Sequence, residues 1–100
     1  MDIFEIIRDL FKETSVEYVS LKYCDDYNSL NQSIMISKVD FIESNETVLS
    51  YMLLDINPNL HILHSITLYD NAQFPIKIIY FDKFRNVIKC INMKERQELC

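Results

Sequence analysis

The sequence predicts a single α+β domain over residues 1–100, in which an N-terminal helix packs on an antiparallel meander of five or six strands. Apolar residues recur at helical spacing near the N-terminus and alternate with polar residues in later segments. The connections between those later segments are short, which suits antiparallel neighbours. The apolar stripe of the helix needs a sheet face to cover, and this gives two layers.

The first segment, residues 2–13, predicts an amphipathic helix. Asp2 can cap its N-terminus, and Glu5 three residues later resembles the second half of a capping box. The apolar stripe consists of Ile3, Ile6, Ile7, Leu10 and Phe11.

Two strands are predicted next. Val19, Leu21 and Tyr23 alternate with polar neighbours, and a polar loop follows at 25–29. A second strand is predicted from Ile34 to Phe41, with a shift of the apolar phase near residues 37–38 that suggests a bulge.

The middle of the chain is ambiguous. Residues 48–56 fit a strand or a helix, and we favour a strand because Asn57-Pro58-Asn59 is typical of a hairpin turn. A further strand at 60–68, a loop at 70–75 and a hairpin of 76–82 with 87–92 follow. Residues 93–99 suit a short charged C-terminal helix.

The composition excludes several enzyme classes. The chain has 49% hydrophobic residues and no Gly. Phosphate-binding loops of the Walker and dinucleotide types need Gly for close backbone approach, so both are excluded. Without Gly, tight turns must use Asn or Asp, or be replaced by longer loops.

The net charge of −5 is unevenly distributed. Residues 1–76 carry 12 acids and 4 bases, and residues 77–100 carry 3 acids and 6 bases. An acidic body argues against direct nucleic-acid binding, which needs Lys and Arg, and suits a basic protein partner. The predicted hairpin near the C-terminus is basic, so a nucleic-acid-binding surface on it is an alternative. The acidic charge of the rest of the chain argues against that alternative.

The cysteines and the N-terminus indicate the cytoplasm. Cys24, Cys90 and Cys100 are odd in number and irregularly spaced, which is not a disulfide framework, and we expect Cys90 to be a small buried residue. The first residues lack the pattern of a signal peptide, and no segment is apolar enough to span a membrane.

No catalytic constellation is recognisable. On a strand, His61 and His64 point to opposite faces and cannot readily share a metal. His64 has the same parity as Ile62 and Ile66, so it should face the core or a pocket, and we favour a core histidine. Cys24 lies beside two acids, which disfavours a thiolate nucleophile. We therefore expect no catalytic residues, no cofactor and no metal.

The candidate partner-binding residues are acids at predicted strand ends with one adjacent tyrosine. A meander alternates its loops between two ends, so loops near 43–47 and 70–75 should share one end with the corner at 13–15. Phe84, in the turn between Lys83 and Arg85, is either an exposed anchor or a plug. The candidates are Asp25, Asp26, Tyr27, Glu43, Glu46 and Asp70.

In size and acidity the chain resembles small cytosolic proteins that neutralise a toxin or enzyme, such as bacterial immunity proteins and phage-encoded inhibitors. This resemblance implies an acidic module that blocks the active site of a basic toxin or nuclease. One alternative is a homodimeric structural or regulatory domain that pairs through an exposed strand edge, for which the 76–91 hairpin is a candidate, or through the helix. Another is a small-ligand binder with a pocket between helix and sheet that contains His64.

Overall fold

The computed structural model describes residues 3–25, 31–43, 61–93 and 97–98. Their strands form one antiparallel sheet in the order β2-β1-β3-β4-β5-β6. The predicted α+β class, with an N-terminal helix and an antiparallel sheet, is confirmed. The elements are α1 (Ile3–Leu10), β1 (Tyr18–Asp25), β2 (Asn31–Ser37), α2 (Lys38–Glu43), β3 (His61–Tyr69), β4 (Pro75–Phe81), β5 (Val87–Asn92) and β6 (Gln97–Glu98).

The strand order departs from a simple meander at β1, which lies between β2 and β3. Tyr18 of β1 is in register with both Ser37 of β2 and Tyr69 of β3. The chain therefore makes a hairpin from β1 to β2 and then returns to the other side of β1. The segment predicted as a strand at 48–56, and the turn at 57–59, lie outside the described residues.

A second helix, α2, replaces the predicted end of β2. The strand stops at Ser37, whose Oγ accepts a hydrogen bond of 3.0 Å from the backbone N–H of Asp40. A serine that caps in this way satisfies one of the unpaired N–H groups of a first helical turn. The prediction of a strand through Phe41 is thus wrong, because the shift of apolar phase marks a strand-to-helix junction rather than a bulge.

The C-terminal part also differs from the sequence prediction. Gln97 and Glu98 of β6 pair with Asn92 and Ile91 of β5, where a short helix was predicted. Pairing satisfies backbone groups at this edge of the sheet. Cys90 is buried, as predicted, but it is disulfide-bonded, which was not expected. Its partner cysteine lies outside the described residues.

The core lies between α1 and one face of the sheet. Ile7 of α1 is fully buried, as are Val19 and Leu21 of β1. The β1–β3 register sets Val19 opposite Leu68 and Leu21 opposite Ile66, so the alternating apolar residues of neighbouring strands share the covered face. This packing fixes the orientation of the strands and therefore which loops lie at each end.

Candidate functional site

The strand register defines two ends of the sheet. Tyr18, Ser37 and Tyr69 are paired at one end, so the α1–β1 corner, α2 and the loop 70–74 lie there. Asp25 is paired with His61 at the other end, where the loop 82–86 also lies. The predicted distribution of the loops is confirmed for the described part of the chain. We name the first the acidic end; its residues are Glu13, Glu17, Asp40, Glu43 and Asp70.

The predicted partner-binding residues are divided between the two ends. Glu43, exposed at the last position of α2, and Asp70, the first residue of the loop 70–74, lie at the acidic end. Asp25 ends β1 at the opposite end. Asp26, Tyr27 and Glu46 lie outside the described residues.

Helix α2 contributes site residues that sequence reasoning missed. Asp40 is exposed, and the large apolar side chains of Val39 and Ile42 are 55% and 72% exposed. A strand was predicted here, so these side chains were not expected to project together from a helix. The signal that could have revealed α2 is the Ser37-x-x-Asp40 spacing, which is typical of a helix N-terminus.

Lys38 holds α2 to the α1–β1 corner. Its Nζ donates a hydrogen bond of 3.1 Å to the Glu13 carbonyl oxygen and lies 3.8 Å from Oε1 of Glu17. Its backbone N–H donates to the Glu17 carbonyl at 2.8 Å. Within the described segments, the carboxylates of Asp40 and Glu43 form no ion pair, so their charge remains directed to solvent.

Asp70 organises the loop 70–74. Its Oδ1 accepts hydrogen bonds from the backbone N–H groups of Ala72 at 2.9 Å and Phe74 at 3.0 Å. Gln73 adopts a positive φ of 63°. The loop leaves Phe74 68% exposed beside a depression of about 500 Å³ that Ser15 and Ile76 also line.

The loop 82–86 at the opposite end has the same hydrogen-bonding pattern as the loop 70–74. Asp82 Oδ1 accepts from the backbone N–H groups of Phe84 at 2.8 Å and Asn86 at 2.9 Å. Arg85, like Gln73, has a positive φ, of 65°. The hydrogen bond from the Asn86 backbone is the main cause that lowers the pKa of Asp82. Phe84 is 73% exposed, so its ring does not fold back to cover the end of the sheet.

His64 lies at a bulge in β3, not in the core. Lys22 is in register with Ser65 and Tyr23 with Leu63, so His64 is the extra residue. Its ring makes an edge contact with Tyr80, 5.6 Å between centroids, on the sheet face opposite Ile66. The prediction that His64 shares the core face with Ile66 is therefore wrong. Its Nδ1 is buried and has no hydrogen-bond partner among the residues that the structure describes.

Together these features define an α+β domain with one helix-covered sheet face and one acidic end. Comparison of this chain with protein-family models, curated proteins and solved structures found no match. Across the described ranges, no helix is long and apolar enough to cross a bilayer. The same ranges contain no group of three or more side chains arranged to hold a metal ion.

Proposed function

We propose that this protein is an acidic protein-binding module, an inhibitor or immunity protein that covers the basic active site of a toxin or nuclease with its acidic end. One observation carries the proposal: exposed carboxylates and exposed large apolar side chains occur together at this end. Asp40 and Glu43 alternate with Val39 and Ile42 on α2, and Phe74 projects from the neighbouring loop.

The two kinds of side chain have different roles in the proposal. Carboxylates attract a basic surface over a distance, align it, and can take the positions of substrate phosphates. Apolar side chains supply the buried contact area on which the affinity depends. Ile42 and Phe74, 72% and 68% exposed, are the candidate anchors.

The acidic end is preorganised for binding. The Ser37 cap and the Lys38 contacts hold α2, and the Asp70 hydrogen bonds hold the loop that carries Phe74. A surface that is already ordered loses less conformational entropy when a partner docks. Short loops of this kind can therefore contribute to tight binding.

The first experiment is affinity capture from the native host followed by an inhibition assay. A basic partner should be recovered in stoichiometric amount, and the protein should inhibit the purified partner's catalytic activity. Glu43→Lys should raise the inhibition constant at least about tenfold, because it replaces an attraction by a repulsion at the interface.

The matched control is Glu5→Lys, which makes the same charge change at an exposed position of α1. It should change the inhibition constant by less than about threefold, because Glu5 lies on α1, outside the acidic end, and reaches the partner only through the screened general field. Equal effects of the two variants, or a recovered partner whose activity the protein leaves unchanged, would refute the proposal. A cytoplasmic location belongs to the proposal and is tested by the oxidation state of Cys90 in protein isolated rapidly from the host, where an oxidised Cys90 would contradict it.

A further inference from the structure

A cleft separates α1 from the β4–β5 hairpin, away from the acidic end. Its volume is about 490 Å³, within the range of sites that bind small molecules. Ile79 and Phe81 of β4 form a buried floor, 7% and 8% exposed, and Ile6 and Leu10 of α1 form one wall. Val87, 50% exposed, lies on the opposite side.

The lining selects an apolar body for the ligand. Six aliphatic and aromatic side chains line the cleft, and a chain or ring placed among them would bury apolar surface. Each methylene buried in this way contributes about 0.8 kcal/mol. An alkyl chain of about ten carbons fits a cavity of this size.

The charges at the cleft select the polar group of the ligand. Asp9 lines the cleft, but its Oδ1 lies 3.1 Å from Nζ of Lys12, which neutralises it. Arg85 also lines the cleft and forms no ion pair with any residue that the structure describes. Among the described residues that line the cleft, the uncompensated charge is therefore positive, and a guanidinium binds a carboxylate through two parallel hydrogen bonds.

The fold of the loop does not require an arginine at this position. Gln73 occupies the equivalent position of the loop 70–74, with φ of 63° against 65° for Arg85. Both loops are held by an aspartate that accepts the same pair of backbone hydrogen bonds. The conformation of the loop thus does not depend on the Arg85 guanidinium. This group interacts electrostatically with Tyr23 and can also bind a ligand carboxylate.

We propose that this cleft binds a small amphipathic monocarboxylate, with its apolar chain between α1 and β4 and its carboxylate on Arg85. The site is separate from the acidic end and does not depend on the function proposed for it. It is also distinct from a pocket around His64, because His64 does not line the cleft.

The test is a titration of the ¹⁵N-labelled full chain, at a concentration where ultracentrifugation shows a monomer. The probes are decanoate, decanol and decyltrimethylammonium, each below its micelle concentration. Decanoate should bind saturably and shift amide signals of Leu10, Phe81 and Val87, while those of the loop 70–74 stay unchanged. Decanol and the cation should bind at least about tenfold more weakly, since they lack the charge-assisted contact.

Two pairs of variants separate the charge from the apolar contact. Arg85→Gln should weaken the binding of decanoate at least about tenfold and leave the affinity for decanol unchanged. Lys83→Gln removes the same charge from a loop residue outside the cleft, so it should change the affinity for decanoate less than about twofold. Val87→Ser should lower the affinity for both decanoate and decanol. Ile88 is exposed but does not line the cleft, so Ile88→Ser should leave both affinities unchanged. Equal binding of decanoate and decanol, equal effects of the two loop variants, or no saturable binding would overturn the proposal.

Discussion

At the scale of single residues, the loops show how a chain without Gly makes tight connections. The two loops at 70–74 and 82–86 each begin with an aspartate and place the fourth residue at positive φ. The absence of Gly predicts Asp-containing or longer loops, and this is confirmed. It does not predict that Gln73 and Arg85 take the left-handed conformation, because the hydrogen bonds of the preceding aspartate determine that position.

The left-handed conformation of Gln73 should cost stability that Gly would recover. Left-handed backbone strains a residue with a Cβ by about 1–2 kcal/mol, partly offset by the greater chain entropy of unfolded Gly. We therefore expect Gln73→Gly to raise the free energy of unfolding by about 0.5–1 kcal/mol, measured by urea denaturation. Ala72→Gly changes the preceding residue, which has a negative φ, so this variant should lower the free energy of unfolding by a similar amount. Destabilisation by both variants would show that the entropy of the unfolded chain alone decides the effect of Gly, and would contradict the strain assigned to Gln73.

Asp82 should make folding stability depend on pH. Its folded-state pKa is lowered from the ordinary value of 3.8, chiefly by the hydrogen bond from the Asn86 backbone. A lowered pKa contributes stability that is present above the ordinary pKa and is lost as the pH falls through the folded value. Asp82→Asn keeps an acceptor oxygen but does not ionise, so its unfolding free energy should fall less on acidification below about pH 4 than that of the wild type.

The control for this titration is Asp40→Asn. The structure gives the Asp40 carboxylate no hydrogen bond and no ion pair within the described segments. This variant makes the same Asp-to-Asn change without removing the hydrogen-bond acceptor of the loop 82–86, so it controls for the substitution itself. Identical acid unfolding of Asp82→Asn and the wild type would contradict the role assigned to the Asp82 carboxylate.

At the scale of secondary-structure elements, periodicity predicts the long strands and α1 but fails for the short elements. In β1 and β3, apolar alternation reflects one covered face, so the pattern follows directly from burial. Helix α2 has only six residues, and Val39 and Phe41 mimic the alternation of a strand. Only the cap at Ser37 distinguishes the two, and a cap is a local hydrogen bond rather than a periodic signal.

Strand β5 provides a test of the redox state. Cys90 is disulfide-bonded and buried, whereas Cys24 of β1 is not in a disulfide. Alkylation of the purified, denatured protein without reductant should therefore label the Cys24 peptide and not the Cys90 peptide. The Cys90 peptide should be labelled after reduction, as read by mass spectrometry. Labelling of Cys90 without reductant in protein isolated rapidly from the host would support a reducing compartment.

At the scale of the whole molecule, the two ends follow from the sequence although the strand order does not. Antiparallel neighbours reverse the chain at every connection, so loops alternate between the ends regardless of which strand lies beside which. Spacing cannot show on which side of β1 the chain returns after α2. For this reason Glu43 and Asp70 were placed at one end correctly, while the position of β1 inside the sheet was missed.

The acidic end should control how fast the proposed basic partner associates. Opposite fields attract over distances that salt screens, with a Debye length of about 10 Å at 0.1 M and about 3 Å at 1 M. Between about 0.05 and 0.5 M salt, we expect the association rate measured by stopped flow to fall at least about tenfold and the dissociation rate to change little. Glu43→Lys should lower the association rate and flatten its salt dependence.

The apolar anchors should control dissociation instead. Ile42→Ala removes contact area without changing charge, so it should speed dissociation and leave the association rate and its salt dependence as in the wild type. These two variants lie on the same helix, one residue apart, yet act on different rate constants. If salt altered dissociation alone, the carboxylates of the acidic end would act only as contacts, and the long-range attraction assigned to them would be wrong.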